Sequence, residues 1–262
     1  MLRSLYTAAS GMLANQLYVD SISNNLSNVN TTGFKKAKAE FQDLLYQTMV
    51  EPGSTTSEGV RLPGSLQVGL GVKSVGNVRS FEQGSLMQTG NALDMAIEGT
   101  GFFVVKTANQ GTAYTRDGSF KLNADGMVVT ADGNYLDPQI EIPANASKVS
   151  IGVDGTVSAV LQGDDQPTEL GRIELATFVN PAGLLSMGRN LYQATVASGE
   201  ATVGTPGENG TGTIEGQYLE RSNVQLVDEM VSLIVAQRAY EISSKSITVS
   251  DEMLQTANNL KR

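Results

Sequence analysis

From Gln217 to Arg262 the chain contains neither glycine nor proline, and along this run Leu219, Leu226, Leu233, Tyr240, Ile247 and Leu254 recur every seven residues. A seven-residue apolar repeat marks a helix that buries one seam against another helix. A second row, Glu229, Ala236, Ser243, Ser250 and Ala257, is small or polar and supplies a side for close approach. Ser222 or Asn223 stands where an N-cap belongs, and at ~1.5 Å per residue the run predicts one helix of roughly 60 Å. The opening residues repeat the pattern with Leu5, Met12, Val19 and Leu26, flanked by Leu2, Leu13, Leu17, Ile22 and Val29. Asn24, Asn25, Asn28 and Asn30 compete with helix through their side-chain amides, and Thr31, Thr32 and Gly33 follow, so this helix is expected to end between Asn28 and Gly33.

Between the two ends the texture changes. Aspartyl-glycine pairs at Asp117-Gly118, Asp125-Gly126, Asp132-Gly133 and Asp154-Gly155 separate short runs of β-formers. These pairs read as hairpin turns, and the runs as an antiparallel β domain over about residues 73–200. The Gly/Thr/Glu-rich stretch from Ser198 to Gly216 reads as a mobile or extended link to the last helix. The expected fold is therefore α+β. A discontinuous, coiled-coil-like helical domain comprises residues 1–45 and 217–262, an extended arm 46–72, and an antiparallel β-rich middle domain 73–216.

Ordering a residue costs ~1–2 kcal/mol of backbone entropy, whereas a buried seam side chain returns only ~1.5–3 kcal/mol. One seam does not hold such a helix. Pairing the two ends still leaves Leu2, Leu13, Leu17, Met230, Ile234 and Met253 off the heptad rows, and these ask for further neighbours. Packing of both helices on the β domain is the alternative, and periodicity leaves the two open.

Composition excludes much chemistry. Cysteine, histidine and tryptophan are absent, so thiolate nucleophiles, imidazole bases and Cys/His zinc sites are not available, and no cofactor is expected. Residues 41–216 hold nineteen acidic and nine basic side chains, an imbalance that argues against nucleic acid. No stretch approaches eighteen apolar residues, and Asn15, Gln16 and Asp20 interrupt the N-terminal apolar run, so neither a spanning helix nor a cleavable signal is expected. Gly69 to Gly76 meets neither phosphate-loop spacing, and Asn123 to Gly126 lacks the downstream ligands of a calcium loop. Asp164 and Asp165 read as a solvated turn, and Phe34 with Lys35, Lys36 and Lys38 as a solvated turn with a buried aromatic. A carboxylate-based peptidoglycan hydrolase is the reading from another class.

Ser23-Asn-Asn-Leu-Ser-Asn-Val-Asn-Thr-Thr-Gly-Phe-Lys35 resembles the N-terminal signature of the bacterial flagellar rod and hook proteins, with Ser27 where alanine is usual. Three further blocks agree with that family: Thr89 to Phe103, Tyr114-Thr-Arg-Asp-Gly-Ser-Phe120, and Ser222-Asn-Val with Glu229-Met-Val and Ala236-Gln-Arg-Ala-Tyr-Glu241. Length and the segment Tyr46 to Gly71 look most like its distal rod member, the alternative being a proximal rod or hook subunit. The resemblance implies export without a cleavable signal through the flagellar type III apparatus, then helical self-assembly into a shaft crossing the periplasm. It implies as partners further copies of the chain, proximal rod proteins, the hook protein, P-ring and L-ring proteins, and a rod cap during assembly. Implied subunit contacts are Leu5, Met12, Val19, Leu26, Leu226, Leu233, Tyr240, Ile247 and Leu254. Asn24, Asn25, Asn28 and Gly33 read either as an inter-subunit hydrogen-bonding patch or as a helix C-cap and turn. Residues 46–71 read as an arm wedged between subunits or as a disordered loop.

Overall fold

The computed structural model describes residues 2–50, 64–107, 111–163, 166–208 and 210–259. Asp164, Asp165 and residues 51–63 of the expected arm lie outside the described residues. The chain gathers into two compact units, one of residues 1–26, 37–78 and 225–262, the other of 27–36 with 79–224.

The first unit holds two long helices, α1 (Leu2–Ser27) and α2 (Leu226–Asn259). Asp228 and Glu229 in the first turn of α2 complement its dipole. The helices run antiparallel in a fixed register. The Ser4 and Ser250 hydroxyls share a 3.1 Å hydrogen bond, Gly11 faces Ser243, and Asn25 Nδ2 donates to Glu229 Oε2 at 3.3 Å, each step along α1 matched by an equal step back along α2. A side chain on Gly11 would stand 3.6 Å from Ser243 Oγ, so the mid-helix glycine sits at the point of close approach. The row of α2 turned to α1 is thus the small one, Glu229, Ala236, Ser243 and Ser250. Ala236 is 1% exposed, whereas Leu226, in the leucine row, is 46% exposed.

Strands β1 (Ala37–Asp43) and β4 (Val72–Arg79) pair, as do β2 (Tyr46–Val50) and β3 (Leu66–Gly69) in an antiparallel hairpin. Tyr18 of α1 meets Phe41 of β1 edge to face, ring centroids 6.2 Å apart. Gly71, at φ 115°, lies where any side chain would strike Ser10 Oγ, and the hydroxyl instead accepts from Val72 N–H at 3.3 Å.

The second unit is strand-rich. Its strands are β5 (Leu86–Gln88), β6 (Met95–Glu98), β7 (Phe102–Lys106), β8 (Thr112–Thr115), β9 (Lys121–Leu122), β10 (Val128–Val129), β11 (Tyr135–Leu136) and β12 (Ala146–Ile151). These are followed by β13 (Thr156–Leu161), β14 (Pro167–Arg172), β15 (Leu175–Thr177), β16 (Leu185–Gly188), β17 (Leu191–Gln193), β18 (Thr202–Gly204), β19 (Thr213–Gly216) and β20 (Tyr218–Glu220). The main antiparallel sheet runs β16-β17-β8-β7-β11-β10-β9, with β15 bridging β7 and β18. β12-β13-β14 form a meander, while β19 pairs β6 and β20 pairs β5. β7 is buried on both faces: Phe103 and Val105 enter a cluster with Ile97, Phe120, Leu136 and Leu175, and Phe102 and Val104 one with Tyr114 and Tyr192. Its unbroken apolar run, rather than an alternating one, follows from that position.

Several expectations change. Leu219 lies in β20 rather than in the last helix, which starts at Leu226, and the two units divide after Val224 rather than before Gln217. Asn223 is not the N-cap, because its amide is committed to Lys36 N–H and the carbonyls of Ser80 and Glu82. The stretch from Ser198 to Gly216 is not a free link: β18 and β19 within it are paired with β15 and β6. Three Asp-Gly pairs close hairpins with glycine at positive φ, but Gly118 packs against the Met95 carbonyl and turns no hairpin. Among the described residues no helix is long and apolar enough to cross a membrane.

Candidate assembly interface

In the first unit the heptad residues Leu5, Met12, Val19 and Leu26 of α1 are half-buried, as are Leu233, Ile247 and Leu254 of α2, while Leu226 and Tyr240 are exposed. With Gln16, Gln237 and Glu241, Val19 and Tyr240 line a groove between the helices. Apolar side chains outside the pairing line are exposed as well. On α1 these are Tyr6, Leu13 and Leu17; on α2, Val227, Met230, Val231, Ile234, Val235, Ile242, Val249 and Met253. Val235, Ile242 and Val249 form a further seven-residue row, exposed by 59%, 67% and 43%. This row obeys the same period as the leucine row and was open to the same sequence argument. Each helix is therefore apolar on more than the face its partner covers.

The Asn-rich turn divides by role within the chain. Asn24 is exposed. Asn25 is buried and grips β1 in both directions, accepting from Ala37 N–H at 2.9 Å and donating to Ala37 O at 2.8 Å. Ser21 Oγ donates to the same carbonyl at 3.2 Å. In the second unit Asn28 O and Oδ1 accept from Thr31 N–H and Oγ, both at 3.1 Å, closing the turn after α1. Gly33 follows at φ 65°, where a side chain would lie 2.7 Å from the backbone of Arg116 and Asp117.

Lys35 departs from the solvated turn expected of it. It is wholly buried, and its Nζ donates to Glu220 Oε1 at 2.6 Å and to the Glu82 carbonyl at 2.7 Å. Glu220, 1% exposed, also accepts from Gly84 N–H at 2.8 Å and pairs with Arg116 Nη1 at 3.4 Å. Arg116 donates through Nη2 to Gly99 O at 2.6 Å and lies 5.5 Å from the Phe102 ring centroid. Burial pushes the Lys35 ammonium below its ordinary range, and the Glu220 carboxylate opposes the shift without cancelling it. Burial lowers Arg116 likewise. Gly33, Lys35, Arg116, Glu220 and Asn223 thus meet in one place, although they come from three separate sequence blocks. No single-position signal in the sequence marked Lys35 and Glu220 as partners.

Three family models match the chain. Residues 5–35 match "Flagella basal body rod protein", 96–159 "Flagellar hook protein FlgE/F/G D1 domain", and 215–260 "Flagellar basal body rod FlgEFG protein C-terminal". The flagellar basal-body rod protein FlgG of Borreliella burgdorferi is 48% identical over 264 residues, covering 100% of both chains. FlgG of Buchnera aphidicola subsp. Acyrthosiphon pisum is 48% identical over 260 residues, covering 99% of this chain and 100% of its own. That of Caulobacter vibrioides is 48% identical over 261 residues, with the same shares. Two terminal helices with open apolar faces, a strand-rich middle and full-length identity at this level agree, and the chain belongs to the FlgG family of flagellar basal-body rod proteins.

Proposed function

We propose that copies of this chain polymerise helically through the faces of α1 and α2 that their own pairing leaves open, building the distal rod that carries torque from the motor to the hook. The chain is a structural subunit of the flagellar rod, as its full-length relatives are named. That naming disfavours the hydrolase reading. The observation carrying the proposal is the row Val235, Ile242 and Val249, exposed in a helix already paired with α1. Covering each such side chain is worth ~1.5–3 kcal/mol, and several neighbours per subunit make the sum large enough to hold a stiff shaft.

In this reading the heptad residues Leu5, Met12, Val19, Leu26, Leu233, Tyr240, Ile247 and Leu254 pack in coiled-coil fashion along the axis. The hairpin β2–β3 is the base of an arm over 46–72, and its exposed Leu45, Tyr46, Met49 and Leu66 support a contact with neighbouring copies. The strand-rich unit, where the acidic excess lies, turns outward toward P-ring and L-ring proteins and slips by hydration and repulsion. Proximal rod proteins below, hook protein above, a rod cap during growth and the type III export apparatus complete the partners, in a rod that crosses the periplasm. Electron microscopy of basal bodies carrying a tagged subunit tests this. Label on the distal part of the shaft is expected; label confined to the proximal end, or absent from the shaft, would overturn it.

A further inference from the structure

The sequence has no cysteine, so its nine methionines carry all the sulfur of the chain, and they are unevenly shielded. Met95 is 1% exposed in the core of the strand-rich unit, whereas Met49, Met87, Met187, Met230 and Met253 stand open, the last two on α2 at 48% each. Met253 lies four residues past Val249 and eleven past Ile242, spacings that return to one face of a helix. It therefore extends the open row of Val235, Ile242 and Val249. Met230 comes three residues after Val227 and four before Ile234, both exposed, on another face that α1 leaves uncovered. Neither methionine belongs to the row of Glu229, Ala236, Ser243 and Ser250 that is turned to α1.

Methionine suits such a surface, because its flexible, polarisable side chain adapts to the packing of a neighbour. The same thioether is open to two-electron oxidants such as a peroxide. A sulfur lone pair attacks one peroxide oxygen, and the S–O bond forms as the O–O bond breaks. The sulfur loses two electrons, and the second oxygen leaves with the proton of the transferred one as water. The sulfoxide carries a polar oxygen where the thioether was apolar, and burying it against valine and isoleucine leaves an acceptor unpaired. We propose that Met230 and Met253 are peroxide-oxidation sites that govern assembly: as thioethers they let the open faces of α2 pack on other copies, and as sulfoxides they prevent it until reduction restores them. The consequence for assembly rests on the proposed function above; the greater susceptibility of the open methionines over Met95 does not.

Treatment of the full-length, unassembled chain with hydrogen peroxide tests it, with oxidation at each methionine read by peptide mass spectrometry and assembly by sedimentation. Met230 and Met253 are expected to gain oxygen well before Met95, and the concentration needed for assembly to rise by about tenfold or more. Methionine sulfoxide reductases acting on both epimers are expected to reverse both changes. Met230→Leu/Met253→Leu is expected to assemble as the wild type does and to keep assembling after the same dose, although Met49, Met87 and Met187 still oxidise. Treated wild type that assembles at its untreated concentration would overturn the proposal, as would equal loss of assembly in the treated double variant. Where the double variant does not assemble untreated, the reductase arm decides, and no recovery of assembly once Met230 and Met253 are reduced would overturn the proposal. Ile242→Ser separates the two readings. If it assembles like the wild type, the assembly reading fails and this inference with it; if it blocks assembly while peroxide does not, this inference alone fails.

Discussion

Gly33 occupies a backbone conformation at φ 65° that side chains rarely adopt, pressed against the backbone of Arg116 and Asp117 at 2.7 Å from where a Cβ would be. Gly33→Ala meets strain and collision together, and a loss of ~1–3 kcal/mol or more is expected in urea denaturation. Asn25 is the other residue with no substitute. Asn25→Ala leaves the Ala37 N–H without its Asn25 acceptor and its carbonyl with the Ser21 hydroxyl alone, at an expected ~1–3 kcal/mol by the same measurement. Both residues were singled out in the sequence as members of one Asn-Gly turn, but their separate partners were not legible there. Lys35 shows why. Beside Lys36 and Lys38 after a glycine it has the local look of a solvated lysine, and only the distant Glu220 makes its burial tolerable.

At the scale of elements, the two helices were legible from their period of seven, and α1 ends at Ser27, one residue before the expected span, with Asn24 and Asn25 still helical. What the period did not reveal is which row faces which partner. Leucines draw attention as a seam, yet it is the small row that lets α1 approach, with Gly11 opposite Ser243. Ala236→Leu is therefore expected to wedge the pair apart and lower the thermal stability of the free subunit by ~1–3 kcal/mol. Ile242→Ser, on the open row, is expected to change that stability by no more than ~0.5 kcal/mol while abolishing polymerisation, read by sedimentation of assembled material. Strand boundaries near residues 200–220 were misread because glycine and threonine there suggest a link, whereas β18 and β19 are held by cross-strand pairing that composition does not encode.

For the whole molecule, the division of labour follows from where apolar surface is already satisfied. The strand-rich unit closes its core on both faces of β7, whereas the helical unit leaves apolar rows open on α1 and α2. The chain has no cysteine, so a single introduced thiol reports its own burial without background. Maleimide labelling of Ile242→Cys in the free subunit and in isolated basal bodies, with the buried Ala236→Cys as the unreactive reference in both, tests this directly. Ile242→Cys is expected to react readily in the free subunit and to be protected in the rod. Equal reactivity in both would contradict it.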